Sequence, residues 1–220
     1  MKTNAELVTY ASREEWLLAR QSYIGGSDAA CIIGANPWKN NVALWEEKRK
    51  LRIAENISDN PLVLYGIRAE EHLRELFRWD YPNMAVFYEE NNLWWNDRCP
   101  WAHASLDGWL VDEKGRNGIL EIKTATISGP SQKAKWADRV PQNYYIQVLH
   151  YLMVTEFDFA ILKAQLKYEI PGQEVFLKTQ HYRIERADAE SDIEYLREKE
   201  EEFAECLSNG IKPALILPEI

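Results

Sequence analysis

Two carboxylates and an amine stand close together in the middle of the chain. Asp107 lies in His103-Ala104-Ser105-Leu106-Asp107-Gly108, and Glu121 and Lys123 lie in Gly118-Ile119-Leu120-Glu121-Ile122-Lys123-Thr124. The stretch between them, with Lys114-Gly115-Arg116-Asn117, has the composition of a turn. A turn centred on Lys114 sets Asp107 opposite Glu121 and Ser105 opposite Lys123 in an antiparallel hairpin. Side chains alternate faces along a strand, so Ser105, Asp107, Glu121 and Lys123 share one face and Leu106, Leu120 and Ile122 take the other. Such a face suits a hard divalent cation held beside a water. Mg²⁺ takes one or two protein carboxylates plus water and phosphate oxygens, and the backbone carbonyl of Ile122 could complete the set. Lys123 would orient the attacking water or help deprotonate it, while the ion stabilises charge developing on phosphate. The competing reading of an isolated D…ExK pattern is a surface ladder of opposite charges, with each pair contributing ~0.2–1 kcal/mol. The hairpin spacing, the flanking aliphatic residues and three further segments favour the site.

The first segment is Arg20 followed by Ile24-Gly25-Gly26-Ser27-Asp28, which combines a cation, a glycine turn and a helix start that suits an anion such as phosphate. Its plainer reading is that Ser27 caps the helix. The second is Glu70, on a helix after Gly66, a third carboxylate that would suit a second ion. Glu70 and Glu71 with Arg74 could equally form a solvated face at i,i+4 spacing. The third is Gln147, between Tyr144 and Tyr151 on one helix face, where a buried amide needs a partner. It would orient the water or a phosphate, or satisfy a backbone group. His72, His103, His150 and His181 lack metal-type spacing and read as structural or solvent-exposed. No Gly-x-Ser-x-Gly or P-loop pattern is present, which removes serine hydrolase and nucleotide-hydrolase readings.

The elements that must position these residues change character along the chain. Ser12 and Glu15 form a capping box for a first helix carrying Trp16, Leu17 and Arg20. A short helix follows Gly25-Gly26-Ser27 and stops near Gly34, and a third covers residues 41–51. A longer one starts at Asn60-Pro61 and places Leu62, Tyr65, Ala69, Leu73 and Leu76 on one side. Residues 84–90, 101–111 and 118–124 then read as strands. Pro141 opens a helix to about Thr155, and strands return over 158–166 and 179–185. The segment from Asp188 to Asn209, closed by Gly210, is an amphipathic helix with Ile193, Leu196, Phe203 and Leu207 inward. The expected architecture is α/β, a mixed central sheet flanked by helices, in a single domain over residues 1–220.

Composition narrows the function classes. The chain has 220 residues, is 46% hydrophobic and contains nine Trp and eleven Tyr, which supplies a substantial core and excludes a disordered tail. No apolar run reaches the ~20 residues of a membrane-spanning helix. The N-terminus lacks the apolar stretch of a signal peptide, and Cys31, Cys99 and Cys206 form neither a zinc spacing nor an even disulfide framework, so a cytoplasmic, reduced setting is expected. Three cysteines also fall short of the four thiolates of an iron–sulfur cluster. The net charge of −9 argues against nucleic acid only superficially, because residues 188–205 hold nine acids against two bases. A nearly neutral body remains, with room for a locally basic groove.

The residues resemble a known family. Trp16-x-x-x-Arg20-x-x-x-Ile24-Gly25-Gly26-Ser27-Asp28-Ala29-Ala30, Gly34-x-Asn36-Pro37-Trp38-Lys39 and Leu44-Trp45-Glu46-Glu47-Lys48 look like the N-terminal signature of YqaJ-type viral recombinases, relatives of phage lambda exonuclease. Gly66-x-x-x-Glu70, Ala104-Ser105-x-Asp107-Gly108, Leu120-Glu121-Ile122-Lys123 and Tyr144-Tyr145-x-Gln147-Val148 follow in family order, so the resemblance covers roughly residues 13–155. It implies the restriction-endonuclease-like PD-(D/E)xK fold and a Mg²⁺-dependent exonuclease, with one ion or two and with Mn²⁺ able to substitute. Such an enzyme digests the 5′ strand from double-stranded DNA ends and leaves a 3′ overhang for a phage single-strand annealing protein in a bacterial cytoplasm. Carried over by motif, Asp107 and Glu121 would be metal ligands, Lys123 the catalytic lysine and Glu70 a further acid near the metals. Gln147 would help place the nucleophile, and Arg20, Ser27 and Ser105 would contact the 5′ or scissile phosphate. Leu106 stands where the motif's leading proline is expected, which leaves the ligands intact. Lambda-type members form ring-shaped trimers, so a homotrimer is implied. A non-catalytic DNA-end-binding module and an endonuclease of the same fold are the rival functions.

Overall fold

Most helices of the first third begin where a side chain satisfies their free N–H groups. In the computed structural model, which describes residues 3–172 and 174–217, strand β1 (Glu6–Thr9) precedes helix α1 (Arg13–Gln21), whose Ser12 hydroxyl accepts the Glu15 N–H at 3.2 Å. Helix α2 (Gly26–Ile32) departs from expectation. Gly25 is its cap residue, the Asp28 carboxylate accepts the Gly25 N–H at 3.1 Å, and Ser27 stands exposed in the first turn. Helix α3 (Asn41–Lys48) is capped by Asn40, and α4 (Pro61–Asp80) by Asn60 with proline in its first turn.

Helix α4 does not bury the whole stripe that its periodicity suggests. Leu73 and Phe77 are buried, but Leu62, Tyr65 and Leu76 are exposed. Twenty residues of helix run ~30 Å, and the first half of α4 projects past the apolar surface that its later residues cover.

The strands that follow are β2 (Ala85–Phe87), β3 (Asn92–Trp95), β4 (Gly108–Val111) and the long β5 (Asn117–Ile127). A short helix α5 (Pro130–Lys135), absent from the sequence reading, leads to α6 (Gln142–Thr155). Then come β6 (Phe159–Tyr168), β7 (Phe176–Glu185) and α7 (Glu190–Asn209). The main sheet has the order β2-β4-β5-β6-β7. Only β5 and β6 are parallel, joined by a crossover that carries α5 and α6. Strands β1 and β3, neither placed by the sequence reading, form a separate antiparallel pair.

The strand expected over 101–111 is broken. Ala102 and Ala104 make isolated bridges to Ile24 and Trp94, and β4 starts only at Gly108. The cause is Asn92, whose side chain accepts the Leu106 N–H and donates to the Leu106 carbonyl, both at 2.9 Å. The backbone of Leu106 is therefore satisfied before it can join the ladder.

Apolar residues cover both faces of the sheet. On one, α6 packs with α2 and α7 against Ile119, Ala160, Leu162 and Ala164. On the other, Leu73 and Phe77 of α4 meet Leu110, Leu120, Ile122, Phe159 and Ile161. Helix α6 is buried without a break from Val148 to Thr155, as befits a helix covered on several sides. Helix α7 buries Ile193, Leu196 and Phe203, half-buries Leu207, and also buries Glu200. Among the described residues no helix is long and apolar enough to cross a membrane.

Candidate active site

The site forms where β4 stops and β5 continues. Gly108 pairs with Leu120, so Asp107, one residue before the strand, stands level with Glu121 as the turn spacing predicts. The Asp107 carboxylate accepts the Ile122 N–H at 2.8 Å, replacing a backbone acceptor that β4 no longer provides. The N–H and C=O of a strand residue point to the same edge, so the Ile122 carbonyl faces this gap too. The expected pairing of Ser105 with Lys123 does not form, because Asn92 holds Leu106 away from the ladder. For the same reason Leu106 joins the core on the α6 side, whereas Leu120 and Ile122 face α4.

Glu121 and Lys123 project from β5 toward α6. Glu121 is 1% exposed, and its Oε1 lies 2.5 Å from the Lys123 ammonium. The Lys123 ammonium also sits 5.1 Å from the centre of the Tyr144 ring. Burial and the neighbouring Asp107 push the Glu121 carboxyl up to about 8. Burial and Asp107 likewise push Glu70 up to about 7, against the pull of Arg74. Burial raises Asp107 itself, against the pull of Lys123 and the Ile122 N–H. Burial opposes the charge on Lys123, but Glu121 and Asp107 outweigh it and hold the amine protonated. Asp107 raises the proton affinity of both glutamates and Glu70 adds to that of Glu121, which describes a place where added positive charge is stabilising.

The donor set fits Mg²⁺. Among the described residues Glu121 Oε2 is buried without a hydrogen-bond partner, the kind of orphaned acceptor that a cation satisfies. Among the described residues no three His, Cys, Asp or Glu side chains close into a full metal shell. Mg²⁺ does not need one, because it keeps water and phosphate oxygens among its ligands: Asp107, Glu121 and the Ile122 carbonyl would hold it, with Glu70 as a further acid nearby.

Glu70 is not part of a solvated charge ladder. Its partner Arg74 is buried, donates to Glu70 at 3.1 Å and to the Asp107 carbonyl, and stacks 3.5 Å from the Tyr88 ring centre. Sequence reasoning missed Arg74 as a site residue. The available signal was its place between Leu73 and Phe77 on the inward side of α4.

The remaining candidates border this cluster. Gln147 finds its partner in a side chain, donating to the Tyr151 hydroxyl at 2.8 Å. Tyr151 is buried, and burial and the Glu121 charge raise its phenol. A Cβ on Gly26 would lie 2.4 Å from the Tyr151 ring and 3.0 Å from Gln147 Cγ, so glycine alone lets α2 rest on α6 here. Arg20 is half-buried at the end of α1, its guanidinium 4.2 Å over Trp16, and its charge acts on both Asp107 and His103. Ser27 is exposed and Ser105 half-buried; among the described residues neither hydroxyl is tied to the carboxylates by a hydrogen bond. Of the histidines, His103 and His150 are buried, His181 lies 3.3 Å from the Asp80 carboxylate and His72 is exposed.

A mixed five-stranded sheet flanked by helices is the architecture of the restriction-endonuclease-like PD-(D/E)xK fold, and two acids and a lysine stand at the gap in its central hairpin. Residues 15–158 match the YqaJ-like viral recombinase domain, and the chain belongs to that family. It is 30% identical over 190 residues to the uncharacterized protein YqaJ of Bacillus subtilis (strain 168), covering 86% of this chain and 55% of that protein. The chain thus spans about half the length of this relative. The fold is shared with an alkaline exonuclease from Laribacter hongkongensis, at a TM-score of 0.62 and 19% identity, over 90% of this chain and 94% of that one. The Laribacter exonuclease in complex with dAMP matches at 0.57 and 20% identity, over 91% of this chain and 100% of that one. A phage-related exonuclease from Haemophilus somnus 129PT matches at 0.52 and 14% identity, over 86% and 96%. At these identities the likeness is one of fold.

Proposed function

We propose that this chain is a Mg²⁺-dependent exonuclease that degrades the 5′ strand from double-stranded DNA ends and leaves 3′ overhangs for strand annealing in phage recombination. The observation that carries the reading is the convergence of Asp107, Glu121 and Lys123 at the gap where β4 ends, with the Asp107 carboxylate bonded to Ile122. Bound Mg²⁺ would stabilise negative charge on the phosphate and lower the pKa of a nearby water. Asp107, Glu121 and the Ile122 carbonyl would hold the ion, and Arg74 fixes Asp107 by gripping its carbonyl. Lys123 is protonated while Glu121 is its partner, so it first acts by orienting water and opposing phosphate charge. A cation taking over the Glu121 charge would weaken what keeps that proton on Lys123. Gln147, braced by Tyr151, places the water, and Glu70 supplies a further acid, for a second ion where one binds. Arg20, Ser27 and Ser105 contact the terminal or scissile phosphate. Mn²⁺ substitutes for Mg²⁺ at such an oxygen-donor site.

The same reading carries three further expectations: a homotrimeric ring, a phage single-strand annealing protein as partner and the cytoplasm of a bacterial host as location. Light scattering on the purified chain tests the first, co-purification with an annealing protein the second and fractionation of infected cells the third. The activity is tested by nucleotide release from linear duplex DNA labelled at the 5′ or the 3′ end, with closed circular DNA alongside. Early loss of the 5′ label with the circle intact supports the reading. Cutting of the circle replaces it with an endonuclease, and end binding without cleavage replaces it with a non-catalytic module.

A further inference from the structure

A chain of buried polar groups runs from the acidic helix α7 to Arg20. Glu200 of α7 is fully buried, and its Oε1 lies 2.7 Å from His150 Nδ1 on α6. The other ring nitrogen of His150 lies 2.9 Å from the His103 carbonyl. The Nε2 N–H donates to the His103 carbonyl, and Nδ1 and Glu200 Oε1 share the proton that lies between them. Glu200 raises the affinity of His150 for its second proton against the effect of burial.

His103 continues the chain. Its backbone N–H donates to the Ile24 carbonyl at 3.0 Å, and its ring Nε2 meets the Arg20 carbonyl at 3.3 Å. Burial, with the charges of Arg20 and His150, lowers this imidazole to about 3, so it is neutral with its one N–H toward Arg20. The bare Nδ1 accordingly has no partner among the described residues. A Cβ on Gly25 would lie 2.9 Å from His103 Cε1, and the Trp95 ring packs edge-on at 5.6 Å. The imidazole is thus wedged between the end of α1, the turn before α2 and β3.

We propose that His103 is a positioning residue for Arg20: its ring holds the Arg20 carbonyl and fills the space over Gly25, while the His150–Glu200 pair holds His103 from behind. The inference rests on the reading of Arg20 as a contact to the 5′ phosphate of the DNA end. A buried ion pair stabilises a fold only weakly, yet breaking it by removing one partner is disruptive, which suits a brace better than a source of stability.

The test is binding of blunt duplex DNA carrying a 5′ phosphate or a 5′ hydroxyl, measured by fluorescence anisotropy on the full chain in EDTA. No cleavage is needed for the readout. The wild-type protein should prefer the phosphorylated end. His103→Phe keeps a ring and loses the N–H, and should lower that preference by about fivefold, as one hydrogen bond is worth. The loss should fall on the phosphorylated end alone. His103→Gln, whose amide can donate to the same carbonyl, should restore most of the preference. Glu200→Gln, two steps away, should lower it in the same direction by a smaller factor. In an Arg20→Ala background His103→Phe should change nothing further. Equal weakening of both DNA ends, or an additive loss in that background, overturns the inference by showing a merely structural role. If His103→Phe discriminates as the wild-type protein does, the inference fails and the phosphate reading of Arg20 stands. A wild-type protein with no preference overturns both.

Discussion

The carboxylate of Asp107 and the backbone N–H of Ile122 meet at 2.8 Å across the end of a hairpin ladder that has run out of strand. One side chain thus does two jobs, closing an open backbone donor on β5 and presenting a half-buried acid beside Glu121. The jobs are separable by substitution. Asp107→Asn keeps an oxygen for the Ile122 N–H and loses the charge; Asp107→Ala loses both. Asn should retain a near-native melting temperature with nuclease activity lowered by about 10²-fold or more. Ala should in addition lose about 1–3 kcal/mol of stability from the unsatisfied N–H. Paired thermal melts and nucleotide-release assays decide it, and equal stability of the two variants would remove the backbone role.

Glu121→Ala and Lys123→Ala should each abolish cleavage, by about 10³-fold or more, as expected for residues that act as a unit. Circular dichroism should show folded protein in both. Lys123→Ala leaves Glu121 buried without its 2.5 Å cation, so its carboxyl should move further up and hold its proton more firmly. Substantial activity in both variants would refute the site assignment.

The raised carboxyls set the pH behaviour of the metal-free protein. Glu121, at about 8 when folded against an ordinary value of 4.5, binds its proton more tightly in the folded state than in the unfolded one. Stability is therefore present below the unfolded value and falls as pH rises through about 8. In EDTA the melting temperature should decline from pH 5 to pH 9, and Glu121→Gln should decline less. The difference between the two proteins isolates Glu121 from other groups. Activity at low Mg²⁺ should rise through the same range, since the ion needs ionised carboxylates. Identical slopes for the two proteins would contradict the shift.

Gly26→Ala drives a methyl group into the Tyr151 ring and against Gln147. The expected cost is about 1–3 kcal/mol for overpacking a tight contact. Activity should fall beyond what lost stability explains, because Gln147 moves with Tyr151. Denaturant melts alongside rates at a temperature where the variant is fully folded separate the two effects.

The outer face of α7 should be indifferent to DNA. Converting exposed Glu198, Glu201 and Glu202 to Gln leaves the inward residues of the helix untouched, so cleavage rates and DNA affinity should change by less than about twofold at physiological salt. A large gain in affinity would put this face beside the DNA.

The sequence by itself determined what is local. The turn between residues 108 and 120 fixes which residues of the hairpin stand opposite one another, because antiparallel register follows from loop length, and so Asp107 and Glu121 were found level. Caps at Ser12 and Asn60 mark helix starts through bonds to residues three and two along. Tertiary structure decided what depends on groups far apart in the chain. Asn92 takes Leu106 out of the ladder from fourteen residues away, which cancels the pairing of Ser105 with Lys123. Arg74 turns inward to the Asp107 carbonyl, and Gly26 lets α2 come close against Tyr151 and Gln147. Glu200, one acid among many in α7, is buried against His150 fifty residues earlier. Periodicity reports which face of an element is apolar; which polar group on that face meets a partner is settled only when the elements pack.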